Sequence, residues 1–182
     1  MKKTYYLFPI LLLTFLFFFC GKPIEKIDFC KMLNRDQSHI STNKSDKNHH
    51  KEKTIRINIL NENFDLLIQY IKQNGLPKIE DYIQDSCLDE ALQITLIHTA
   101  QINQKGFFNR ENVLLLKDQI KEGKLDKELL KRAIIVMLVT SKVCNQYQND
   151  ILYAIETWDL HNEIYNKKRL LDFVQQMKFT DC

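Results

Sequence analysis

The stretch Ser86-Cys87-Leu88-Asp89-Glu90-Ala91-Leu92-Gln93-Ile94-Thr95-Leu96-Ile97-His98-Thr99-Ala100-Gln101 decides the fold. Leu88, Ala91, Leu92 and Leu96 recur at intervals of three and four residues, the spacing of one side of a helix, and Ile94 and Ile97 widen that side. An apolar face this broad belongs to a central helix covered by neighbours, not to a surface helix with one solvated side. Ser86 to Asp89 has the form of a capped start.

The neighbours follow the same period. Phe29, Met32 and Leu33 mark a first helix from about Glu25 to Gln37, and Phe64, Leu67, Ile68 and Ile71 mark a second over Asn61 to Asn74. Ile55, Ile57 and Ile59 alternate, but a lone strand has no partner here, so they read as an early start to that second helix. Gly75 and Pro77 stop it, one tolerating positive φ and the other unable to extend the hydrogen-bond ladder. Downstream, Asn109 can cap a helix with Val113, Leu116 and Ile120 inward, ended by Gly123. Asp126 opens what reads as the longest helix, with Leu130, Ala133, Ile134, Met137 and Leu138 inward. Ile151, Ile155 and Trp158, then Leu170, Phe173, Val174 and Met177, repeat the signal. The expectation is an all-α, compact bundle of six or seven helices after an N-terminal hydrophobic leader. The segment from Ser38 to Lys53 is almost free of apolar side chains, so it reads as a disordered polar loop at about 38–54. His39, His49 and His50 within it are a weak metal candidate, and no metal site is expected.

Composition removes several functions. The glycines, Gly21, Gly75, Gly106 and Gly123, are too scattered for a phosphate loop, a dinucleotide fingerprint or a nucleophile elbow. Of 26 basic residues Lys2 and Lys3 fall in the leader, leaving 24 against 23 acids, so there is no electrostatic case for nucleic acid. The 182 residues, less the leader, suit a single domain over 20–182.

Met1 to Thr4 is a short basic start and Tyr5 to Phe19 an apolar run ending at Cys20-Gly21, the parts of a signal peptide over 1–19. A cysteine directly after the run is similar to the lipobox of bacterial lipoproteins, in which a diacylglyceryl group is attached to that cysteine. The resemblance implies lipidation at Cys20. A typical lipobox has a small residue before the cysteine and Leu three before it, where this chain has Phe19 and Phe17. The alternative is an uncleaved membrane anchor, and both place the domain in the cell envelope, membrane-anchored and extracytoplasmic. With Cys20 set aside, Cys30, Cys87, Cys144 and Cys182 admit three disulfide pairings, among which sequence does not choose.

Leu33-x-x-Asp36-Gln37, a polar insert, Asn63 with Leu67, Ile71, Gly75 and Pro77, then Ile97-His98-x-Ala100-Gln101, then Leu115 to Gly123, together resemble the DUF6624 proteins, which are bacterial, frequently exported, largely helical and without an assigned activity. The resemblance spans roughly Phe29 to Val139. That family usually has Trp before the proline and a late Tyr-Gly-Thr-Gln segment; here Leu76 and Gln146-Tyr147-Gln148 stand in those places.

Chemistry converges on few residues. His98 is the one histidine expected inside a core helix, and Gln101 lies one turn on. An imidazole there can act as general base or ligand, with Asp36 orienting the ring and Gln37 lining a polar pocket. Equally, it can be a core-edge histidine satisfied by a carbonyl or by Gln101. Cys87 lies eleven residues from His98, about 16 Å along one helix, too far for a dyad, and Cys144 continues the Met137 stripe as core or disulfide. Trp158, Tyr147, Tyr153 and Tyr165 are core or an aromatic binding surface. The expected function is an envelope binding or interaction domain, its partners the membrane through the N-terminal lipid or anchor and an envelope protein or peptide. No cofactor is expected. The alternative is a hydrolase or transferase using His98 with Asp36.

Overall fold

In the computed structural model, which describes residues 27–38, 49–82 and 86–160 with Val174 and Phe179, the apolar stripes form helices α1 (Phe29–Ser38), α2 (His49–Asn74), α3 (Ile79–Tyr82), α4 (Ser86–Ile102), α5 (Gln104–Phe107), α6 (Arg110–Lys121), α7 (Lys127–Thr140) and α8 (Gln148–Thr157). The protein is an all-α bundle: among the described residues, α3 and α5 are single turns and the other six helices have ten residues or more. The leader, Cys20, Cys182, Tyr165 and most of Leu170 to Met177 lie outside the described residues. Among the described residues, no helix is long and apolar enough to cross a membrane.

The broad face of α4 makes it the centre. It packs against α7 most extensively, then against α1 and α2. Leu88, Ala91, Leu92, Leu96 and Ala100 are buried on it, and so are Thr95 and Thr99. The Thr99 hydroxyl donates to the Thr95 carbonyl at 2.6 Å, which satisfies a polar group that the packing closes off from water.

Two boundaries differ from the sequence reading. Helix α1 starts at Phe29, because the Asp28 carboxylate accepts the Lys31 amide at 2.9 Å and caps it. Helix α2 starts at His49, so the polar stretch read as a loop to about residue 54 is helical over its last part, and α2, at 26 residues, is the longest helix where α7, at 14, was expected to be. The reason is cooperativity. Once Leu60 and Phe64 anchor the helix, each added turn costs little, and Lys51, Glu52 and Lys53 are good helix formers. His39 lies outside the described residues, and His49 and His50 open α2.

At the other end of α2, Gly75 adopts φ +68° and turns the chain so that the buried Leu76 amide donates to Gln119 Oε1 at 2.8 Å. Gln119 is itself buried, and its carbonyl receives the Lys124 amide at 2.9 Å as α6 ends near Gly123. Replacing Gln119 with Leu leaves the Leu76 N–H unpaired in the core. A loss of about 1–3 kcal/mol is expected in urea unfolding, and an unchanged midpoint would show that the amide finds another acceptor.

Phe107 and Phe108, on and just after the single-turn α5, close the bundle's aromatic end. Phe107 meets Phe64 at 6.0 Å, Phe108 edge-on at 5.0 Å and Trp158 edge-on at 5.9 Å between ring centroids. The sequence periodicity did not mark these two phenylalanines, since they lie outside any helical stripe long enough to count. Trp158 is core, while Tyr147 and Tyr153 are partly buried against that core, Tyr153 with Arg110 over its ring at 5.0 Å.

Candidate functional site

Helix α1 buries two positions one turn apart, Met32 and Asp36. Its register on α4 and α2 is set by three ties. Cys30 is disulfide-bonded to Cys87 in the first turn of α4. Asn63 of α2, buried, donates to the Met32 carbonyl at 3.2 Å. On the outside Arg35 pairs with Glu62, a solvated pair that contributes little. This register carries the Asp36 carboxylate inward, where it is 2 % exposed, against His98 of α4.

His98 Nδ1 lies 3.2 Å from Asp36 Oδ2, and Gln37 Nε2 donates to the same oxygen at 3.2 Å. Of the four residues singled out from sequence, Asp36, Gln37 and His98 thus meet. Gln101 does not bond the ring: it donates to Thr140 Oγ1 at 2.7 Å, tying α4 to the end of α7. Just beyond, Gln104 Nε2 donates to the Lys142 carbonyl at 3.0 Å, which holds the chain around Ser141 against the end of α4.

His98 and Gln101 face a cleft of about 480 Å³ whose other walls are Lys53, Arg56, Ile57 and Leu60 of α2, with Ile102 and Ser141. The imidazole keeps 23 % of its surface exposed there while Nδ1 is turned to the buried acid. A carboxylate behind a histidine fixes the ring and leaves Nε2 for whatever occupies the cleft, as acceptor or, with both nitrogens protonated, as donor. Asp36 Oδ1, Asn63 Oδ1, Arg56 Nε and His98 Nδ1 are buried polar atoms without a hydrogen bond, the last close to Asp36 but not aligned with it. Folded proteins leave few such atoms, and here all four belong to the three helices that form this site.

Sequence reasoning did not find Lys53, Arg56, Ile57 and Leu60. Their spacing of three, four and seven residues is a helix face; only Lys53 fell in the stretch read as loop, and Arg56, Ile57 and Leu60 lay in the early start of the second helix without being joined to it as one face. The cysteines supply no nucleophile among the described residues, since Cys30 and Cys87 are bonded to each other and Cys144 is disulfide-bonded as well. Of the three pairings left open by sequence, only one contains Cys30–Cys87. Among the described residues, no group of three His, Cys, Asp or Glu side chains is arranged to hold a metal ion.

No family model matches the chain, and no curated protein or solved structure matches it either.

Proposed function

We propose that this chain is an extracytoplasmic helical domain of the bacterial envelope, tethered by its leader or by a lipid on Cys20, that acts by binding a ligand in the cleft above His98. The observation that carries the binding reading is that two residues with an unpaired buried polar atom, Arg56 and His98, line one open cleft, with the unpaired oxygens of Asp36 and Asn63 on the same three helices. Leaving a buried polar atom unpaired costs about 1–3 kcal/mol, and an occupant or ordered water in the cleft recovers part of that. The Cys30–Cys87 disulfide supports the location, because such bonds persist in oxidising compartments.

A second reading, a hydrolase or transferase, is favoured by the 3.2 Å approach of Asp36 to His98, which is how a general base is oriented. Either functional reading separates from mere structure on one substitution. For His98→Gln, at a side chain partly open to solvent, the expected loss of stability is under about 1 kcal/mol, measured by thermal and urea unfolding. A loss above about 2 kcal/mol would make the histidine a structural element of the bundle and remove the basis for both functional readings. For the location, a mass spectrum of the native protein is expected to begin at an acylated Cys20. A free, unmodified chain in the cytosol would overturn the envelope assignment.

A further inference from the structure

The cleft mixes charge and apolar surface. From α2 one helix face brings Lys53 and Arg56, one turn apart, together with Ile57 and Leu60, and from α4 come His98 and Ile102, which remains 39 % exposed. Arg56 has no carboxylate partner among the described residues, and its Nε is closed off in the wall. The described side chains lining the cleft include no acid, and Asp36, the nearest one identified, lies buried behind the imidazole.

Building on the binding reading above, we propose that the ligand is a small organic carboxylate with an apolar body. The guanidinium of Arg56 takes the carboxylate through its fork of N–H donors, Lys53 adds charge at the mouth, and His98, with Asp36 behind it, lines the same site. The apolar body lies on Ile57, Leu60 and Ile102. A volume of about 480 Å³ suits a ligand of this size and is within the range of small-molecule sites. Inorganic phosphate would engage the cations and leave the apolar wall wet.

Such a carboxylate can come from an acyl chain or from the C-terminus of a peptide, so the test uses both. The full chain with its disulfides intact is titrated by calorimetry, and by NMR of the arginine Nε–H signals, with octanoate, N-acetyl-leucine, neutral N-acetyl-leucinamide and inorganic phosphate. The expected result is saturable binding of octanoate or N-acetyl-leucine with a shift of the Arg56 signal, and at least about tenfold weaker binding of the amide and of phosphate. The tighter of the two acids identifies the source. Arg56→Gln is expected to weaken the better acid about tenfold or more, and Arg56→Lys less, while unliganded melting temperatures report that each variant is folded. Amide and acid binding equally well would overturn the anion inference and leave the cleft a binding site. Phosphate binding as tightly as either acid would also overturn it. If no probe shifts Arg56 or binds the wild-type chain, both this inference and the binding reading fail.

Discussion

Trp158→Ala is expected to cost about 3–5 kcal/mol, a large fraction of the stability of a domain this size. The indole is 1 % exposed and closes α8 as its C-cap residue, so truncation leaves a cavity in close-packed surroundings. Phe107 loses its edge-on partner at 5.9 Å, and the Val113 carbonyl of α6 loses the indole N–H that donates to it at 2.8 Å. Trp158→Phe separates these terms, keeping most of the volume and the ring contact while giving up the hydrogen bond. A loss of about 1–3 kcal/mol is expected for it. Both values come from urea unfolding followed by far-UV circular dichroism. A loss under about 1 kcal/mol for the alanine variant would mean that the aromatic end of the bundle is not part of the cooperative core.

What was legible in the sequence, and what was not, divides along physical lines. The central helix could be read because Leu88, Ala91, Leu92 and Leu96 repeat with a helical period over enough turns to outweigh chance, and all four are buried. The caps at Asn109 and Asp126 could be read because a side-chain oxygen on a residue just before an apolar stripe has one common use, and they accept the Glu111 and Glu128 amides at 2.9 Å. The short α5 could not, since one turn carries no period; its burial of Phe107 comes from tertiary packing alone. The same limit applied at the start of α2, where helix extends into polar sequence by propagation from an anchored core. That boundary error had a functional consequence, because with Lys53 read as loop the face it shares with Arg56 at the start of α2 went unread. Asp36 was found for a different reason: with Gln37 it belongs to the motif that carries the family resemblance, and it was set beside His98 as the one histidine expected inside a core helix.

Removing the Cys30–Cys87 bond is expected to be the largest effect on α1. The bond closes a loop of 57 residues in the unfolded chain, for which chain entropy alone implies about 4 kcal/mol, with 2–4 kcal/mol typical of measured cases. Besides its packing on α4 and the edge-on contact of Phe29 with Tyr70 at 5.6 Å, helix α1 has few ties. It is ten residues long, too short to be stable alone, and it buries only Met32 and Asp36. The outer Arg35–Glu62 pair is too solvated to substitute, and the Asn63 contact to the Met32 carbonyl is one hydrogen bond. Cys30→Ser with Cys87→Ser isolates this bond from the one at Cys144, which a reductant would also break. The double variant should lose about 2–4 kcal/mol in urea unfolding, and hydrogen exchange should show α1 opening well before α4 and α7 do. Because α1 delivers Asp36 to His98, that opening also takes away the carboxylate that backs the imidazole at the cleft, so ligand binding there should weaken even under conditions where the rest of the bundle is folded. A double variant that keeps both its midpoint and α1 protection would mean that packing against α4 and α2 suffices to hold the helix, and the disulfide would then report the compartment without stabilising the site.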